Sequence, residues 1–162
     1  EKMGAKIKVS NKKIRAGEIV ADLNITSSEL NGCELDQEIA KLMIDEFPIL
    51  SIAASQANSP SHFKGLDELR VKESDRLDLI NRNLNNCGCY SEIKDNDLFI
   101  NPSKNKAILN PEIRTDFDHR IAMSFAVLGS KIGKLHINEA ESISTSFPTF
   151  KEQFNKAGGN LS

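Results

Sequence analysis

The residues best suited to chemistry lie in "ELRVKESDRL", Glu68 to Leu77, where Arg70, Lys72, Glu73, Asp75 and Arg76 crowd a junction between two apolar segments. Asp45-Glu46-Phe47-Pro48 and Asp118-His119-Arg120 repeat the theme, and Thr145-Ser146-Phe147-Pro148 adds a fourth marked junction. All four read as helix N-termini, which offer free N–H groups and a positive dipole end. Acidic residues belong there as caps. Arginine does not: in a first turn a cation is disfavoured by roughly 0.3–1 kcal/mol. Arg76 and Arg120 sit in such turns, and an anionic ligand would compensate, since helix N–H groups and guanidinium forks together hold phosphate or carboxylate. Plain structural explanations stand beside this one. Asp45 serves as an ordinary N-cap, Arg76 pairs with Asp75 or Glu73, Asp118 and Arg120 form a cap and a surface pair, His119 is a structural hydrogen-bonder, and Lys72 with Glu73 is an exposed pair worth almost nothing. Lys72 and Arg76, four apart, would share one side of a helical first turn with Glu73 beside them.

The elements that must position these groups read as mixed α/β. Strands are expected at Ile7 and Val9, Ala21–Ile25, Ser61–Leu66, on both sides of a turn at Asp95-Asn96-Asp97, at Lys106–Leu109 and at Leu135–Asn138. Helices are expected over Asp45–Gln56, with Asp45 as cap and Pro48 in the first turn, and over Ser74–Cys87, with Ser74 as cap and Leu77, Ile80 and Leu84 on one face. Further helices are expected over Asp118–Ser130, mostly apolar and so buried, and from Ser146, with Pro148 in its first turn. A helix–glycine–strand junction recurs near Gly4, Gly88 and Gly158. It implies an internal repeat of roughly 70 to 85 residues. The chain opens on Glu1 in what reads as the last turn of a helix, as a piece of a longer chain would.

Composition narrows the class. The chain has 162 residues and a formal net charge of −2, where a general nucleic-acid or membrane-surface binder would be more basic. Apolar runs fall short of the about 18 residues of a membrane span, and no signal peptide is visible. Cys33, Cys87 and Cys89 form an odd set, with Cys87-Gly88-Cys89 too tight for a usual zinc pair. They read as reduced, non-ligand thiols in a reducing, cytoplasmic compartment.

"LRVKESDRL", then "DHRIAMSFAVLG", then "SFPTF" resembles the EPSP synthase family, the 3-phosphoshikimate 1-carboxyvinyltransferases. "MIDEFPILSIAA" and "VADLNITSSELNG" are similar to that family too, in its order and over essentially the whole chain. The wording is closer to the class with glyphosate-tolerant bacterial members. The resemblance implies an α/β (α+β) fold of repeated βαβαββ units, three to each of two domains. Residues 1–162 would be an incomplete C-terminal domain, with the first domain absent. The implied reaction is transfer of the enolpyruvyl group of phosphoenolpyruvate to the 5-hydroxyl of shikimate 3-phosphate by addition–elimination, in aromatic amino acid (chorismate) biosynthesis.

The same resemblance assigns roles. Asp45 is the expected general base and a shikimate contact. Glu73 is the expected proton donor to the phosphoenolpyruvate methylene. Lys72 is a substrate-site lysine, and Arg76 and Arg120 are the arginines for phosphate and carboxylate. It implies no cofactor and no metal. The first domain, in cis, would supply the rest of the site, so the chain alone is expected to be inactive. Some members carry a lysine where this chain has Thr145, and no role is carried onto that position. Two alternatives stay open: an enzyme like UDP-N-acetylglucosamine enolpyruvyl transferase, and a non-catalytic anion-binding domain of the same fold.

Overall fold

The computed structural model describes residues 1–102 and 110–162; the strand expected at Lys106–Leu109 lies outside them. The chain opens with a two-stranded antiparallel ribbon, β1 (Lys6–Arg15) and β2 (Glu18–Thr26), with a bulge between Ser10 and Lys13. Ala16 and Gly17, both at positive φ, make the two-residue turn, the geometry that matches the twist of paired strands. Cross-strand pairs Ile7–Ile25, Val9–Leu23 and Ile14–Ile19 put apolar side chains on one face, and most of that face is exposed.

A complete βαβαββ unit follows. It runs β3 (Glu34–Leu35), α1 (Gln37–Leu42), α2 (Phe47–Ser55), β4 (Ser61–Phe63), α3 (Arg76–Asn86), β5 (Tyr90–Lys94) and β6 (Asp97–Asn101). The sheet order is β3-β4-β6-β5, with β3 parallel to β4 and the other pairs antiparallel. Phe63, Leu98 and Ile100 point to the helices, while His62 and Phe99 stack on the opposite face. Phe47 of α2 meets Phe63 edge-on at 5.3 Å between ring centres. Each such buried ring or aliphatic side chain contributes about 1.5–3 kcal/mol, so this unit carries most of the core.

The start of another unit then packs on the first: β7 (Glu112–Ile113), α4 (His119–Ile132), β8 (His136–Ile137) and α5 (Phe150–Lys156), with β7 parallel to β8. Helix α4 lies against α2 and α3, burying Ile121, Ala122, Phe125 and Leu128. Of the expected helix–glycine–strand junctions, the one at Gly88 is complete, Gly158 follows a helix with no strand after it among the described residues, and Gly4 closes a turn to Glu1 O, not a helix. After α3, Gly88 N–H bonds to Asn85 and Cys89 N–H to Leu84; after α5, Gly158 bonds to Asn155 and Gly159 to Phe154. Both are helix stops that need a residue at positive φ, here glycine at 78° and 99°.

Several expected boundaries move. The helix expected from Asp45 starts at Phe47, because Ile44–Glu46 form a separate 3-10 turn and no side chain caps α2. Ser74 is not the cap of α3; Asp75 is, accepting from Asp78 N–H at 2.9 Å. The strand expected over Ser61–Leu66 stops at Phe63, since Gly65 turns away and gives its N–H to Asp97. Ser146 does not open the last helix: a 3-10 turn fills Ala140–Thr145 and α5 begins at Phe150. Strands β3 and β7 and helix α1 had no periodicity long enough to show. Cys87 and Cys89 are buried, and burial, with Cys89 adding to it, pushes the Cys87 thiol up to about 12.

Candidate active site

Three chain segments bring the charged motifs to one place. The 3-10 turn Ile44–Glu46 enters α2, the 3-10 turn Asp67–Val71 runs through Lys72 into α3, and a tight turn over Thr115–Asp118 enters α4. At the centre is Arg76, the first residue of α3 and only 1% exposed. Its Nε donates to Asp118 Oδ2 at 2.7 Å, its Nη1 to Asp45 Oδ1 at 2.9 Å, and its Nη2 to Glu73. A buried guanidinium in a helix's first turn is doubly unfavourable, and three carboxylates offset that cost here.

The carboxylates differ. Asp118 is wholly buried. Its Oδ1 accepts from the backbone N–H of Arg120 at 2.9 Å and of Ile121 at 3.4 Å, capping α4, and its Oδ2 also accepts from the Ser74 hydroxyl at 2.9 Å. Burial pushes the Asp118 carboxyl up, but Arg76, Ser74 and the α4 N–H group outweigh it and hold it below the usual carboxylate range. Asp45 and Glu73, with side chains 44% and 53% exposed, face open space. Lys72 Nζ lies 3.3 Å from Asp45 Oδ1. Burial also raises the Asp45 carboxyl, and Lys72, Arg120 and Arg76 together bring it net below its ordinary value.

Arg120 is held differently. Its Nη1 donates to the Asp45 carbonyl at 3.1 Å and lies 3.5 Å from Glu46 Oε1, with 36% of the side chain exposed. It opens onto a cleft of about 240 Å³ between α2 and α4, whose walls include Pro48, Ile49, Met123 and Phe150.

The structure therefore brings Asp45, Lys72, Glu73, Arg76 and Arg120 into one cluster. One expected geometry changes. Lys72 is not in a helical turn with Arg76; it is extended, at the end of the preceding 3-10 turn, and reaches Asp45 from there. Asp75 and Arg70 pair at 3.0 Å outside the cluster, as cap and partner. The Thr145 hydroxyl donates to Ser142 O at 2.7 Å. Sequence reasoning left Asp118 and Ser74 as caps and so missed that they meet across 44 residues; no local pattern encodes such a contact.

The turn into α4 is strained. Asp118 N–H bonds to Thr115 O at 2.9 Å, while Asp116 and Phe117 lie between them at φ 49° and 60°. Each non-glycine residue there costs about 1–3 kcal/mol. Thr115 anchors the turn, fully buried and donating toward Asn138 O at 2.9 Å and Glu139 at 3.0 Å.

This sheet-and-helix fold of βαβαββ units recurs among solved structures. The enolpyruvyl transferase NikO from Streptomyces tendae shares that fold, with a TM-score of 0.61 over 98% of this chain at 17% identity. The EPSP synthase (3-phosphoshikimate 1-carboxyvinyltransferase) family matches residues 1–154, and the chain belongs to it. The 3-phosphoshikimate 1-carboxyvinyltransferase of Paramagnetospirillum magneticum is 42% identical over 161 residues, and that of Cereibacter sphaeroides 41% over 160. The EPSP synthase of Acinetobacter baumannii superposes with a TM-score of 0.85, at 37% identity over 96% of this chain. The chain spans 36% of the length of each of these three.

Proposed function

We propose that this chain works as part of a longer enzyme that transfers the enolpyruvyl group of phosphoenolpyruvate to the 5-hydroxyl of shikimate 3-phosphate, releasing phosphate. In that reading residues 1–162 belong to the C-terminal domain, and the enzyme acts in the cytoplasm. The observation that carries it is the buried Arg76 gripping two half-exposed carboxylates, Asp45 and Glu73, with Lys72 and Arg120 beside them, in a chain of this family.

The chemistry needs a base, an acid that gives and retrieves a proton, and cations for two anions. Asp45, held by Oδ1, takes the proton of the attacking hydroxyl. Glu73 gives a proton to C3 of phosphoenolpyruvate as the hydroxyl adds to C2. The tetrahedral adduct then loses phosphate, which carries off the proton Asp45 took, and C3 returns a proton to Glu73. Lys72, Arg76 and Arg120 hold the anions, with Arg76 exchanging its exposed carboxylate partners for substrate.

Charge explains why more chain is required. Lys72, Arg76 and Arg120 face Asp45, Glu46, Glu73 and Asp118, so the cluster has no positive surplus for two anionic substrates. The missing cations belong to the rest of the longer protein. The test is product formation by the longer enzyme, with Asp45→Asn and Glu73→Gln lowering kcat by about 10²–10⁴. Product formation by the isolated 162-residue chain would contradict the half-site reading.

A further inference from the structure

We infer that Asp118 is a positioning residue, a buried carboxylate that sets the edge Arg76 presents to Asp45 and Glu73 and the place of Arg120, without touching substrate. This rests on the enolpyruvyl-transfer reading of the cluster. Asp118 is 0% exposed and cannot reach a ligand. Capping α4 needs only one acceptor, and Asp118 Oδ1 supplies it to Arg120 and Ile121. The rest of the carboxylate is spent elsewhere. Oδ2 takes Arg76 Nε at 2.7 Å and the Ser74 hydroxyl at 2.9 Å, and Oδ1 lies 3.5 Å from Arg76 Nη2.

The consequence is directional. A carboxylate lying along the Nε–Nη2 edge fixes the guanidinium plane. Nη1 and Nη2 then turn toward Asp45 and Glu73, the exposed partners that an incoming anion can replace. The same carboxylate fixes the first turn of α4 and with it the start of the Arg120 side chain. One residue thus sets the spacing between the two arginines. The left-handed turn at Asp116 and Phe117, pinned by buried Thr115, places this carboxylate between them.

A plain N-cap predicts something different, and Asp118→Asn separates the two. Asparagine caps a helix as well as aspartate but brings no charge to Arg76. The first readout is water exchange of the Arg76 Nε–H by nitrogen-15 NMR in this 162-residue chain, which needs no activity. The expected result is acceleration by about tenfold or more, the loss of one charge-assisted hydrogen bond. The second is steady-state kinetics in the longer enzyme, where KM for phosphoenolpyruvate should rise more than kcat falls. If Asp118→Asn does not fold, Ser74→Ala removes only the hydroxyl contact and should speed the same exchange partially. Unchanged exchange in a folded Asp118→Asn, or in Ser74→Ala where the former does not fold, overturns the inference. So does faster exchange with unaltered KM. An inactive wild-type longer enzyme instead overturns the functional reading, and the Arg76 exchange then still decides what Asp118 holds.

Discussion

Arg76 and Arg120 both stand in the first turn of a helix, and their surroundings are opposite. Arg76 is almost fully enclosed and touches three carboxylates, one of them wholly buried. Arg120 is one-third exposed, rests on a backbone carbonyl and a surface glutamate, and borders a cleft. The same local anomaly has two different physical resolutions. At α3 the protein itself neutralises the cation, and the arginine organises the acids around it. At α4 the cation is left facing outward, where a ligand can complete it.

The sharpest way to break that contrast is to delete each arginine and compare. Arg76→Ala leaves the Asp118 carboxylate buried without its partner, a loss of about 3–5 kcal/mol, read as a lower urea midpoint. Acid should act next. The Asp118 carboxyl is depressed in the folded chain, so its contribution is fully present above the unfolded value of about 3.9 and is lost as pH falls through the lower folded one. Denaturation between about pH 5 and pH 2 should show stability falling with pH, and Asp118→Asn should flatten that fall.

Phe117 offers a smaller effect of opposite sign. Its side chain is 65% exposed and its φ is 60°. Asparagine tolerates that backbone, so Phe117→Asn should stabilise by about 0.5–1 kcal/mol, read as a raised melting temperature. Arg120→Ala should change stability least, within about 1 kcal/mol, because its pair with Glu46 is a surface one. In the longer enzyme it should nevertheless weaken phosphoenolpyruvate binding. A large stability loss at Arg120, or a negligible one at Arg76, would erase the distinction between them.

Much of the candidate site was legible as residue types at helix starts. Arg76 and Arg120 stood out because each opposes its helix dipole, whereas the cap of α3 was read one residue early, at Ser74 instead of Asp75. The resemblance to EPSP synthases named the five residues that the fold brings together. The repeat was legible too, because its glycine stops need a backbone conformation few other residues accept. The short strands β3 and β7 were not, since two residues carry no period. Nor were the true starts of α2 and α5, where Pro48 and Pro148 marked a boundary but not its register.

What the sequence by itself determined was the α/β class, the repeat, the family and the cast of charged residues. These rest on periodicity, turn chemistry and motif, all written over short stretches of chain. Only the tertiary structure decided which arginine is buried and which faces out, and that Ser74 and Asp118 meet across 44 residues. Burial and charge pairing depend on the three-dimensional neighbours of a group. Those neighbours come from distant segments that share no local pattern, and so the division of labour between Arg76 and Arg120 appears only once α2, α3 and α4 are packed together.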